Sequence, residues 1–276
     1  MRNSHNYTKR EFYDERSKNE KTFFVSLFWG NLYAKSAFTL DLRNDIIIST
    51  LSVGVFFGSF LIEETSDIPN VDMNDVNVID RRLMFSYSRF HIIPNILLPV
   101  MGVMPIIVPI SLVEWNIRND FDIWLTYGLM YAQAVGFTYG TRRIIGRTVD
   151  RHRPFYYFTD VMESRPANSF PSGSTAMAFM PAAFFSTIFF AEFPDSPWRI
   201  PVIIGSHTLA AGVGMARIMA GRHFLTDVLA GAAIGSFFGW VIPTLHRRPA
   251  LHLGPNDESK FSFHLAGNGA MMSLRL

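Results

Sequence analysis

Asp227-Val-Leu-Ala-Gly-Ala-Ala-Ile-Gly-Ser-Phe-Phe-Gly-Trp-Val-Ile-Pro-Thr-Leu245 carries no charge after its first residue and is apolar on every side. A helix of about 17–25 such residues spans the hydrocarbon core of a bilayer. A helix on the surface of a soluble core would instead keep one polar face. Gly231, Gly235 and Gly239 recur at four-residue spacing, a stripe that lets a neighbouring backbone approach closely in lipid. The stretch reads as a membrane span packed against a partner.

Working upstream, five more segments share this character: 46–62, 92–113, 123–139, 175–193 and 200–216. The second contains Pro94, Pro99, Pro105 and Pro109. These would break a soluble helix, but a membrane bundle tolerates them because neighbouring helices satisfy the freed carbonyls. Ala210, Ala211, Gly212 and Gly214 give the fifth segment a second small-residue cluster. The expected fold is all-α: a polytopic membrane six-helix bundle with a polar N-terminal leader and a short C-terminal β-hairpin. Residues 1–44 form the leader and an interfacial segment, 45–246 the six-helix core, and 247–276 the tail. In the tail, alternating apolar residues flank Gly267-Asn268-Gly269, a hairpin signal.

The 276 residues are 49% hydrophobic and 17% charged, with charge confined to a few stretches. A net charge of +2 and the lack of a basic helical stripe argue against nucleic acid as a partner. Zero cysteines exclude disulfides, thiolate metal sites and cysteine nucleophiles. Lysine and arginine counts in the loops favour an inside N-terminus. The ends of spans three and five and the starts of spans four and six then meet at the outer face.

Three polar blocks occupy that face: Arg147-Thr-Val-Asp-Arg-His-Arg153-Pro154, Phe170-Pro171-Ser172-Gly173-Ser174, and Arg217-Ile-Met-Ala-Gly-Arg-His223-Phe-Leu-Thr-Asp227. Singly, each has an ordinary structural explanation: arginines snorkel at span ends, and Ser172 or Asp227 caps a helix. Together they supply what phosphoryl transfer requires. Arg153 and Arg217 offer forked donors to phosphate oxygens. The Ser172-Gly173 turn before a helix offers N–H groups and the positive end of the helix dipole. His223 can attack through one ring nitrogen if a carboxylate holds the other, and Asp227 lies one helical turn on.

The blocks resemble the signature motifs of the type 2 phosphatidic acid phosphatase superfamily, which also includes vanadium haloperoxidases and bacterial acid phosphatases. The pattern is Lys-x6-Arg-Pro, Pro-Ser-Gly-His and Ser-Arg-x5-His-x3-Asp, and the resemblance runs from about Asp45 to His246. It implies that His223 is a nucleophile forming phosphohistidine, that Asp227 orients it, and that Arg153, Arg217, Ser172 and the Gly173 amide hold phosphate. No metal or other cofactor is implied. The implied partners are a phosphorylated lipid substrate and membrane lipids, at the outer, periplasmic face of a bacterial inner membrane.

This chain departs from the pattern in three places. Ala216 replaces a serine. Gly146 aligns with the first-block lysine, so Arg147 next to it is the expected cation, with Arg142 the second candidate. Ser174 stands where the family has the histidine that protonates the leaving alkoxide, and a serine hydroxyl is too weakly acidic for that near neutral pH. Loss of a general acid costs roughly 10²–10⁴-fold in rate. Three explanations stay open: a substitute donor such as His152, a good leaving group such as a diphosphate, or binding of a phosphorylated lipid without turnover.

Overall fold

A computed structural model describes residues 36–63, 72–114, 120–158, 168–248, 261–266 and 269–274. Residues 1–35 of the leader segment and the hairpin turn at 267–268 lie outside the described residues. The chain folds as an all-helical polytopic bundle, and all six expected segments are helical. They are α1 (Leu42–Gly58), the run α3 (Ile93–Val103) and α4 (Ile107–Glu114), α5 (Asp120–Thr148), α6 (Gly173–Glu192), α7 (Arg199–Met219) and α8 (Leu225–Leu245). A short α2 (Val78–Arg82) precedes the proline-rich run. Among the described residues, four helical stretches are long and apolar enough to cross a membrane: Arg89–Val113, Gly173–Glu192, Arg199–Met219 and Leu225–Leu245.

Local chemistry sets the ends. Asp41 caps α1 by accepting from the Asn44 N–H at 2.9 Å, which satisfies one of the free donors of the first turn. Pro105 coincides with a 3-10 turn, Met104–Ile106, that divides the second span into α3 and α4. A proline ring removes a donor and clashes with the preceding turn, so the helix changes pitch there. α5 continues well beyond the apolar segment ending at residue 139, so Arg142, Gly146 and Arg147 are helical.

The central helix is α6. In its apolar window 67% is buried, against 33% in the other three. Phe184, Ile188 and Phe189 pack there with Met130 of α5 and Ile242 of α8. Outside the bundle, Leu51, Phe57, Ile96, Ile204, Phe237 and Trp240 are exposed. So extensive an apolar surface is what a bilayer covers and water does not.

The glycine stripe of α8 lies along α6, with the two helices running in the same direction. A Cβ at Gly231 would stand 2.4 Å from the Ser172 carbonyl, one at Gly235 would stand 2.2 Å from that of Ala176, and one at Gly239 would stand 2.3 Å from that of Met180. Only glycine permits that spacing. We expect Gly235→Ala to destabilise the protein by roughly 1–3 kcal/mol through overpacking, read as a fall in the thermal midpoint in detergent. Gly212→Ala, where none of the described residues lies within 4 Å, serves as the control. An unchanged midpoint for Gly235→Ala would contradict the packing.

The tail forms the expected hairpin: β1 (Phe261–Ala266) pairs antiparallel with β2 (Gly269–Leu274), with Phe261 opposite Leu274 and Ala266 opposite Gly269.

Candidate active site

The site is organised by the turn leading into α6. The Asn168 amide donates to the Gly146 carbonyl at 2.7 Å, the Ser169 N–H to the Arg151 carbonyl at 2.8 Å, and the Ser172 N–H to the Asp227 carbonyl at 3.0 Å. These bonds tie the second motif to the first and the third. Ser172 is fully buried. Its Oγ caps α6, accepting from the Thr175 N–H at 3.4 Å and lying 2.8 Å from the Thr175 hydroxyl. Capping is the ordinary reading that the sequence also gave this serine. Gly173 and Ser174 occupy the first turn and are half-buried, where helix N–H groups lack intrahelical acceptors and the dipole is positive.

Cations surround this positive end. Arg142 lies against Gly173, so closely that a Cβ there would meet its guanidinium carbon at 3.0 Å. Arg147, the expected first-motif cation, instead donates to the Ile62 carbonyl at 2.7 Å, at the far end of α1. The reason is helical periodicity. Arg142 and Gly146 are four residues apart and share a face, and a Cβ on Gly146 would meet the Phe170 carbonyl at 3.3 Å. Arg147 is turned about 100° away from that face. Arg217 Nη2 lies 3.3 Å from His223 Nε2, and the Arg153 charge also acts on that ring. Among the described residues, the buried Nε atoms of Arg142 and Arg217 have no hydrogen-bond partner. Buried unpaired donors are rare in native proteins and call for an explanation.

His223 is 5% exposed. Its Nδ1 lies 2.7 Å from the Ser169 carbonyl, which can only accept, so Nδ1 carries the proton. In the neutral ring Nε2 then holds a lone pair, and it faces Arg217. Burial pushes the imidazole down to about 4; Arg217 and Arg153 add to this, and Asp227 opposes it. A base with a depressed folded value binds fewer protons than the unfolded chain between about pH 4 and its ordinary 6.5, so its burial disfavours folding as pH falls through that window. We expect ring-nitrogen NMR of His223 to show the Nδ1–H tautomer throughout pH 5–8. A midpoint near 6.5 would overturn this.

Asp227 lies beside His223 without a direct hydrogen bond to it. Its Oδ2 stands 3.8 Å from Nδ1, too far for a hydrogen bond, and accepts from the Phe224 N–H at 2.8 Å. Its Oδ1 accepts from Arg151. Arg151 also donates to Asp80 Oδ2 at 2.6 Å and lies 4.2 Å over the Phe224 ring. Asp80 in turn accepts from the Thr226 N–H at 3.0 Å. Burial raises the Asp80 carboxyl, but the bonds from Thr226, Arg151 and Asn77 outweigh it and hold it below the usual range. The chain Asp80–Arg151–Asp227 thus braces the start of α8. Sequence reading missed Asp80, which lies far from the motifs, and passed over Arg151 inside the first block. His152, the candidate substitute donor, packs its ring edge-on against Tyr156 at 6.1 Å.

Residues 124–250 match the family model described as PAP2 superfamily. That stretch is 127 of the 276 residues, so the likeness to this family extends over just under half of the chain. It is 40% identical over 88 residues to the lipid A 1-phosphatase of Porphyromonas gingivalis, across 30% of this chain and 18% of that one. The match thus spans less than a fifth of that curated relative. Among solved structures, the chain is similar to the transmembrane PAP2-type phosphatidylglycerolphosphate phosphatase from Bacillus subtilis. That likeness has a TM-score of 0.42 and 19% identity, and covers 74% of this chain and 92% of that one.

Proposed function

We propose that the protein is a membrane phosphatase that hydrolyses a lipid phosphate or lipid diphosphate through a phosphohistidine at His223. The observation that carries this reading is the gathering of Arg142, Arg217 and the α6 N-terminus around one turn, with buried guanidinium donors unpaired among the described residues and a neutral imidazole lone pair beside them. Positive charge so concentrated is stable with an anion among it, and a tetrahedral phosphoryl group takes forked arginine and backbone donors. The name of the Porphyromonas gingivalis relative supports a lipid-borne phosphate.

In the proposed sequence, His223 Nε2 attacks phosphorus while Arg142, Arg153 and Arg217 neutralise the equatorial oxygens. The bond from phosphorus to the leaving oxygen breaks, and water then attacks the phosphohistidine to release inorganic phosphate. Ser174 cannot supply a proton to an alkoxide. A lipid monophosphate leaving from a diphosphate needs none, so diphosphates are the favoured substrates. The site faces the periplasm across a bacterial inner membrane, a reading supported by the loop charge count.

A phosphate-release panel tests this. Wild type is expected to act faster on prenyl diphosphates than on phosphatidic acid, and Ser174→His to raise monoester hydrolysis by roughly 10²-fold or more with little change on diphosphates. Intact cells should hydrolyse a membrane-impermeant short-chain substrate without lysis. The second reading, a relative that binds lipid phosphate without turnover, is favoured by Ser174 itself. It prevails if wild type releases no phosphate from either class and retains labelled lipid.

A further inference from the structure

The end of the bundle opposite His223 carries its own cavity. The last turns of α6 and α8 and the first turns of α7 enclose about 450 Å³ there, within the ~300–1,000 Å³ typical of small-molecule pockets. Its lining includes the apolar Phe190, Ile203 and Trp240 and the basic Arg199 and Arg247. Arg199 is fixed in place: it donates to the Pro194 carbonyl at 2.7 Å and lies 4.1 Å over the Phe190 ring. Among the described residues, its buried Nε has no hydrogen-bond partner. Arg247 is exposed, and its backbone is bridged to Phe38.

Acidic neighbours do not answer these charges. Glu192 accepts from Ser36 at 2.7 Å and from the Ala37 N–H at 2.8 Å, and Asp45 pairs with His246 at 2.6 Å. Among the described residues, neither Arg199 nor Arg247 forms an ion pair. Trp198 and Trp240 are exposed beside the cavity, and indole rings favour the headgroup level of a bilayer. The cavity therefore joins two basic groups to an apolar wall at the depth where lipid phosphate meets acyl chain.

We propose that this cavity binds an acidic glycerophospholipid of the leaflet opposite His223. Its phosphate lies between Arg199 and Arg247, and an acyl chain runs along Phe190, Ile203 and Trp240. The cationic headgroup of a zwitterionic lipid would be repelled by the same pair. Because no group of the His223 site takes part, the binding stands or falls separately from the proposed hydrolysis.

Native mass spectrometry of the full chain in detergent, with phosphatidylglycerol or phosphatidylcholine added, tests this. Wild type should retain phosphatidylglycerol preferentially. Arg199→Gln/Arg247→Gln should retain it roughly ten- to thirtyfold less, at about one kcal/mol per surface arginine, with phosphate release and elution profile unchanged. Arg247→Gln alone, at an exposed position beyond α8, should weaken retention several-fold and keeps the test open if the Arg199 change disturbs folding. Equal retention by the Arg247→Gln or double variant would overturn the site, as would equal retention of phosphatidylcholine. Inorganic phosphate displacing phosphatidylglycerol from wild type as fully as added phosphatidylglycerol does would also overturn it, by showing an anion site with no lipid component.

Discussion

His223→Asn is expected to abolish phosphate release, lowering turnover by roughly four orders of magnitude or more, on the scale seen when an enzyme loses its nucleophile. The two ring nitrogens do different work. Nδ1 donates to the Ser169 carbonyl at 2.7 Å, and a buried donor–acceptor pair of this kind is costly to break. Nε2 keeps the lone pair that would attack phosphorus. An asparagine amide can reproduce the Nδ1 donation but offers no nucleophile at the Nε2 position, so it separates chemistry from folding better than alanine does. Expression, elution profile and vanadate or phosphate binding should stay near wild type, because Arg142, Arg217 and the α6 N-terminus are untouched. Turnover retained above a tenth of wild type in the asparagine variant would remove His223 as the nucleophile.

Arg151→Met should destabilise the protein by roughly 3–5 kcal/mol, the usual consequence of leaving buried charge uncompensated. Asp80 and Asp227 are both fully buried, and Arg151 bonds to both while its own side chain is 21% exposed. Without it, two carboxylates would face each other across the start of α8. Arg151→Met/Asp80→Asn removes one of those charges and should recover part of the loss, so a double-mutant cycle on thermal midpoints measures the coupling. The depressed Asp80 value gives a second signature. Its contribution is present above the ordinary aspartate value of 3.8 and lost as pH falls below it; in the double variant that acid-side loss should shrink. Additive single effects would show that the network is geometry without energetic coupling.

The six helices and the blocks between them were legible in the sequence, because lipid imposes long charge-free runs and a motif's spacing is written along the chain. The Gly231–Gly239 stripe likewise announced a close helix contact. Its partner was not written there: that it lies on Ser172, Ala176 and Met180, while Gly212 packs on none of the described residues, depends on how α6 and α8 meet. The choice between the two first-motif cations needed the fold for a related reason. An ungapped count favoured Arg147, the neighbour of Gly146, with Arg142 the second candidate. Once α5 runs on to Thr148, however, a residue one position along is turned away, and Arg142, one turn back, faces the site.

The partner of His223 shows the boundary most clearly. Four-residue spacing made Asp227 a plausible orienting group, and it does stand on the right helix. Its carboxylate is drawn to Arg151 and the Phe224 N–H, and Asp80, from a distant short helix, completes that arrangement. The sequence by itself determined a six-helix membrane bundle and the residue types of a phosphate site. Which atoms hold which was decided only by tertiary structure, because hydrogen bonds act across a few ångströms in space and take no account of distance along the chain.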